Sequence, residues 1–284
     1  RVGLAGLGGV GGAHLQTLAR MGIGDFHLAD PDTFEVANFN RQLGASLSTV
    51  GKGKAEVMAC QAREINPEAN VRIFAEGITA TNLLEFLMGV DVVIDGIEFF
   101  RIEIRRALYA ECRRLGIPVV NCGPIGYGAA VLVFTPDGPS FDDDFGLRND
   151  MTRAEMLLAF ALGLGPGLKG DIDPSRVDME REKGPALCTA CMLCAAAAGT
   201  EVLKLLTGRG QVARAGRGIY FDPLRNRTLR LRRHPSIKTS LRGRFVRWMA
   251  FRRIASLRRL HEREIAERIA QREREAAYAA AASA

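Results

Sequence analysis

The residues best suited to chemistry lie in the first hundred positions of this 284-residue sequence, and their types converge on one kind of ligand. Gly6-x-Gly8-x-x-Gly11 removes side chains where a backbone must approach a phosphate. Arg41 follows Asn38 and Asn40 in a polar stretch. Lys54 stands at a helix start, where a cation opposes the macrodipole unless it faces an anion. Asp95 and Glu98 fall at and just beyond the end of an apolar run. Cations around phosphates, with an acid to hold Mg²⁺, are the requirements of phosphate chemistry. Asp30, nineteen residues past Gly11, ends another apolar run and can accept hydrogen bonds from ribose hydroxyls. The same glycines would also suit a turn used only for close helix–sheet packing.

The elements needed to position these groups are legible around them. Val2–Ala5 reads as a strand, and Ala13 to Met21 is apolar at helical spacing. Strands follow at Phe26–Ala29, Val71–Phe74, Val90–Ile94, Ile117–Val120 and Gly128–Phe134. Helices are expected from Gly51-Lys52-Gly53-Lys54 to Asn66-Pro67, over Leu83–Met88, and from about Arg101 to Leu115. This alternation predicts an α/β fold: a Rossmann-like, mostly parallel sheet with helices on both faces. Ligands bind such sheets at the C-terminal ends of the strands, where Asp95 and Glu98 lie.

Residues 135–187 break the rhythm and read as an irregular insertion, with Pro136, Pro139, Pro166, Pro174 and Pro185 and a run Asp142-Asp143-Asp144 that reads as a solvated loop. A buried helix from about Ala190 to Leu206 follows, then a closing pair of strands at Ile219–Phe221 and Thr228–Leu231. The first domain is therefore expected over 1–235, with a basic amphipathic helical tail over 236–284. That tail holds 12 of the 39 Lys and Arg but only 5 of the 32 Asp and Glu, so it carries the whole net charge of +7. The tail reads as one helix from about Arg244, with a stripe of Ile254, Leu257, His261, Ile265 and Ile269. Phe245, Trp248 and Met249 are expected to dock it on an apolar surface. Its deletion from about Arg244 is expected to spare nucleotide binding but to weaken self-association or solubility.

No apolar run reaches eighteen residues, so no membrane span is expected. Six cysteines in a chain this long do not suggest a secreted disulfide framework, and a cytoplasmic setting is expected. Cys188-x-x-Cys191-x-x-Cys194 has three readings: small helix-packing residues, a metal site completed by Cys122 or Cys112, or a nucleophile at Cys188.

Taken together, Gly6-x-Gly8-Gly9-Val10-Gly11, Asp30-x-Asp32, Asn38-x-Asn40-Arg41-Gln42 and Gly51-x-x-Lys54 resemble the ThiF/MoeB family, over about residues 1–232. These are bacterial relatives of ubiquitin-activating enzymes. The resemblance implies an ATP- and Mg²⁺-dependent adenylyltransferase acting on the C-terminal carboxylate of a small ubiquitin-like or sulfur-carrier protein, with release of pyrophosphate. It implies nucleotide contacts from Gly6, Gly8, Gly9, Gly11, Asp30, Asp32, Asn38, Gln42 and Asp95. Arg41 and Lys54 would carry the phosphate and transition-state charge, and Glu98 would hold Mg²⁺. The family usually has an aspartate at the position of Glu98. A homodimer is implied as well. Many members bind zinc through two Cys-x-x-Cys pairs; neither pair has a counterpart here, so no structural zinc is expected. Cys188 lies near, but out of register with, the cysteine that some relatives use as a nucleophile. The alternatives are an enzyme like tRNA threonylcarbamoyladenosine dehydratase, with tRNA as partner; a non-catalytic nucleotide-binding scaffold; and an NAD-dependent oxidoreductase.

Overall fold

The computed structural model describes residues 1–165, 176–231 and 236–282. Pro166 and Pro174 of the expected insertion, and the expected domain end at 235, lie outside the described residues. The short apolar runs pair into one eight-stranded sheet, ordered β3-β2-β1-β4-β5-β6-β7-β8. Its strands are β1 (Val2–Ala5), β2 (Asp25–Ala29), β3 (Asn70–Phe74), β4 (Val92–Asp95), β5 (Val119–Ile125), β6 (Gly128–Phe134), β7 (Ile219–Asp222) and β8 (Arg227–Arg230). β1 to β5 run parallel, and β6 to β8 add antiparallel. The strand order reverses beside β1, which lies between β2 and β4 with Ala5 level with both Ala29 and Asp95. The loops after β1, β2 and β4 therefore open side by side at one edge, the place where open α/β sheets bind ligands.

Each face of the sheet has its own core. On one, α1 (Gly11–Arg20), α2 (Lys54–Ile65) and α7 (Cys188–Thr207) bury Leu15, Leu18, Met58, Ala198 and Val202. By length and mean hydropathy (1.5) α7 would suffice to cross a bilayer. It packs instead against α1, β5 and β6, its small residues allowing close approach, and its Glu201 accepts from the Ala213 N–H at 2.9 Å. The other face carries α3 (Leu83–Leu87), α4 (Ile102–Leu115), α5 (Phe141–Phe145), α6 (Arg153–Leu164), α8 (Leu241–Arg253) and α9 (Ala255–Ala282).

The expected insertion is partly helical. Asp142-Asp143-Asp144 is the first turn of α5, not a solvated loop: Ser140 and Asp143 form a capping box, and Asp142 takes both arms of Arg106 at 2.8 and 2.6 Å. α6 is buried on every side, so it shows no helical stripe; its start is fixed by a second capping box, Thr152 with Glu155. The tail is two helices rather than one. The chain is extended at Ile254, and the Ser256 hydroxyl ties the start of α9 to the Val177 carbonyl and the Met179 N–H at 3.2 Å each. Leu257 and Leu260 are buried in the core beside α6, whereas Ile265 and Ile269 are exposed. Phe245 and Trp248 are not docked on the described chain: they stack on each other at 57 and 52 % exposure, with Arg252 over the indole.

Candidate active site

The turn after β1 is shaped by two glycines. Gly6 has φ +92°, and a Cβ there would sit 2.3 Å from the Gly96 carbonyl oxygen. A Cβ on Gly11 would meet the Gly6 oxygen at 1.9 Å. Gly8 differs, because a Cβ there would meet only the Gln42 Nε2, at 3.7 Å. Nothing in the folded chain demands glycine at that position, so its bareness faces outward, toward whatever occupies the edge. α1 starts here without a side-chain cap and without an acid in its first turn, leaving N–H groups for an anion.

The surrounding residues were brought together from far apart in sequence. Asp30 is buried and accepts the Leu7 N–H at 2.6 Å and the Asp32 N–H at 2.9 Å, so it pins the glycine turn to the end of β2. Burial raises its pKa, against those two donors. Lys54, buried at the head of α2, reaches Asp32 with its ammonium at 2.9 Å. Gln42 is buried beside Gly8, and its Oε1 has no hydrogen-bond partner among the described residues. Asn38 accepts the Glu35 N–H and so shapes the turn that delivers Arg41. The stem of Arg41 lies along Gly9, while its guanidinium contacts the Asn40 side chain at 2.9 Å and the Ala37 carbonyl at 3.3 Å.

Glu98 and Asp95 have separate parts. Glu98 stands at the rim with its carboxyl partly sunk. That burial, then Glu182 and Asp32, raises its pKa, while Arg101 and Lys54 oppose the rise. Asp95 points inward, not at the open edge. Its Oδ2 accepts from Arg105 at 2.7 Å, Tyr109 at 2.8 Å and Asn121 at 2.9 Å, and its Oδ1 from the Ile97 N–H at 3.0 Å. With four internal donors it organises the loop that carries Glu98.

Arg105 was not singled out by the sequence. Buried, with its guanidinium 4.7 Å from the Phe160 ring centre, it also donates to the carbonyls of Ile97, Glu98 and Phe99 at 2.5, 3.2 and 3.3 Å. Its only sequence signal is an arginine ten residues past a strand-ending acid. Glu182 was missed too: it reaches Arg153 at 2.5 Å, and its charge helps raise the pKa of Glu98.

The cysteines do not make a metal centre. Among the described residues no three His, Cys, Asp or Glu side chains converge to hold an ion. Cys194 lies against Cys122 in the core, Cys191 lies beside Gly9, and Cys188 is half-buried at the start of α7. Magnesium asks for less than a full cage, since it keeps waters and takes one or two carboxylates beside phosphate oxygens. Glu98, with Asp32 close by, fits that demand.

The sequence pattern of the ThiF family matches residues 1–240. The tRNA threonylcarbamoyladenosine dehydratase of Escherichia coli (strain K12) is 43% identical over 124 residues, 43% of this chain and 46% of that protein. The chain thus matches about half the length of that relative. The SAMP-activating enzyme E1 of Haloferax volcanii is 29% identical over 225 residues, 79% of this chain and 73% of that protein. A crystal structure of the E. coli dehydratase in complex with AMP is similar at a TM-score of 0.53 and 27% identity, over 73% of this chain and 86% of that one.

Proposed function

The chain belongs to the ThiF family, and on that premise we propose that it is an ATP-dependent adenylyltransferase that activates a carboxylate. The observation that carries this reading is the glycine turn. Gly8 is bare toward the edge, under the unpartnered Gln42 Oε1, with Arg41 and Lys54 on the flanks. An oxidoreductase site for NAD needs no such pair of cations.

In the proposed reaction a carboxylate oxygen attacks the α-phosphorus of ATP. The bond from that phosphorus to the bridging oxygen breaks, and pyrophosphate leaves with the electron pair. The α1 N–H groups and the bare face of Gly8 seat the phosphates. Arg41 and Lys54 carry the charge that grows on the leaving group. Asp30 receives the ribose hydroxyls on lone pairs not taken by Leu7 and Asp32. Mg²⁺, when bound, neutralises phosphate charge, and Glu98 is the carboxylate assigned to it.

The acid to be activated is proposed to be the C-terminus of a small ubiquitin-like or sulfur-carrier protein, as the likeness to the SAMP-activating enzyme suggests. A second reading has its own support. The 43% identity to the dehydratase points to the threonyl carboxylate of a modified tRNA base, and the basic tail suits RNA phosphates. ATP–pyrophosphate exchange decides: stimulation by a carrier protein supports the first acid, stimulation by tRNA the second, and no exchange with either sinks the adenylylation reading.

A homodimer is also proposed. The loop beside Arg41 leaves Val36 and Leu47 at 66 and 87 % exposure, a surface suited to a second copy. Light scattering at micromolar concentration should give twice the 30.9 kDa chain mass; a monomer there contradicts the pairing.

A further inference from the structure

α7 enters the sheet face with its first turn at the glycine loop. Its start has an extended Leu187 and no side-chain cap, and its first residue is Cys188. Cys188 is half-buried and follows the exposed segment 183–187. Cys191 lies one turn on, fully covered. Its Sγ is 3.2 Å from where a Gly9 Cβ would be, and the Arg41 Cγ is 3.5 Å from the same point. The thiol therefore fills the gap between helix, glycine loop and arginine stem. Burial pushes the Cys191 thiol up to about 11, so it stays protonated and intact until a neighbour engages it. Cys194 is deeper still, against Cys122, and out of reach of solvent.

We propose that Cys188 and Cys191 are an oxidisable dithiol, and that its closure to an intrachain disulfide draws Cys191 off the glycine loop and weakens nucleotide binding. The second half rests on the nucleotide site proposed above. Helical geometry places residues i and i+3 about 5 Å apart at Cα, within the roughly 4.4–6.8 Å that a disulfide spans. The co-reactant is a hydroperoxide. The Cys188 thiolate attacks its terminal oxygen, the O–O bond breaks, and Cys188 becomes a sulfenic acid with release of water or alcohol. The Cys191 sulfur then attacks that sulfenic sulfur, the S–O bond breaks, and a second water leaves carrying the Cys191 proton. Two thiols are oxidised and one peroxide is reduced. To bond Cys188, the Cys191 sulfur must leave the space against Gly9 and Arg41, and both lose their support.

The test treats the reduced full chain with one equivalent of hydrogen peroxide, blocks free thiols, and maps peptides by mass spectrometry. ATP affinity is read by calorimetry before and after. The expected result is a Cys188–Cys191 link within one chain, with affinity falling at least five-fold and returning on reduction. Cys191→Ser should stop at a sulfenic acid on Cys188, trapped by dimedone, with its own affinity unmoved by peroxide. Cys60→Ser should behave as the unmodified chain, which excludes the exposed thiol of α2. A link to Cys60 or to a second copy, no Cys188–Cys191 link, or a link without a change in affinity would each overturn the proposal. A reduced protein that binds no ATP would overturn the proposed nucleotide site and the coupling with it; the peptide map, which needs no nucleotide, decides the dithiol separately.

Discussion

Arg41 holds charge that the fold hardly uses. Among the described residues Arg41 contacts one carbonyl and one exposed amide, and Lys54 makes one ion pair, with Asp32, itself 61 % exposed. Replacing Arg41 with alanine strands no buried charge, so stability should change by about 1 kcal/mol or less; replacing buried Lys54 takes a cation from beside buried Asp30 and should cost more. Turnover should fall by about 2.7–4 kcal/mol of transition-state stabilisation, or roughly 10²–10³-fold. Urea melts and pyrophosphate exchange on both variants check this, and a wild-type rate in either refutes its assignment. His14 makes the opposite case. It is fully buried on α1, neither ring nitrogen is bonded among the described residues, and burial lowers its pKa to about 4, against the pull of Asp95. Its folded pKa lies below the unfolded value of 6.5, so below pH 6.5 the unfolded chain takes a proton that the native chain refuses. Stability is therefore lost as pH falls from 6.5 toward 4, by up to roughly 3 kcal/mol. His14→Leu should remove that slope and be no less stable at pH 7. Urea midpoints at pH 7 and 4.5 measure it; an unchanged acid slope would place the sensitivity elsewhere.

At the scale of elements, the loop from β4 to α4 depends on one buried ion pair. Arg105→Met leaves Asp95 charged without its partner and should cost about 3–5 kcal/mol. Asp95→Asn with Arg105→Met should recover most of that stability. It should not recover exchange activity, because the carbonyls of Ile97, Glu98 and Phe99 still lack their donor and Glu98 loses its fixed place. A double variant that regained both would reduce Arg105 to a purely structural role. The strands of this region were legible because each is a short apolar run closed by a glycine, an acid or a proline. The glycine loop, Arg41 and Lys54 stood out because their types suit an anion, and Asp30 and Glu98 because an acid ending or following a strand suits ribose hydroxyls or Mg²⁺. Arg105 was not, since a buried arginine looks in sequence like any helical surface arginine. α5 and α6 were hidden for a related reason. Their capping boxes at Ser140 and Thr152 are written in the sequence, but α6 is covered all round and shows no period to mark it as a helix. The break at Ile254 has neither glycine nor proline; it is imposed by Ser256 binding backbone at 177 and 179.

For the molecule as a whole, the tail and the proposed site are not independent. α9 buries Leu257 and Leu260 beside α6, and His261 meets the Thr152 hydroxyl at 2.8 Å. Glu264 accepts the Arg153 N–H at 2.7 Å, and Arg247 of α8 pairs with buried Glu155. α6 in turn holds the loop of Glu98. Phe160 stacks on Phe99 with 5.4 Å between ring centres, and its ring lies against the Arg105 guanidinium. Tail, α6 and loop thus form one packed series on a single face of the sheet, while the glycine loop is backed by α1, α2 and α7 on the other. Truncation before Leu241 should therefore do more than remove a basic arm, contrary to the expectation that nucleotide binding would be spared. Uncovering two leucine sites costs roughly 3–6 kcal/mol, a drop of at least about 6 °C in melting midpoint. The remaining chain would have almost no net charge and should lose solubility near neutral pH. Since the loosened loop carries the proposed Mg²⁺ carboxylate, ATP binding should weaken several-fold with Mg²⁺ present and change little without it. Calorimetry of truncated and full-length chains, each with and without Mg²⁺, separates these arms. Equal Mg²⁺ dependence in the two chains would show that the packing of α9 on α6 ends at α6 and does not reach the site.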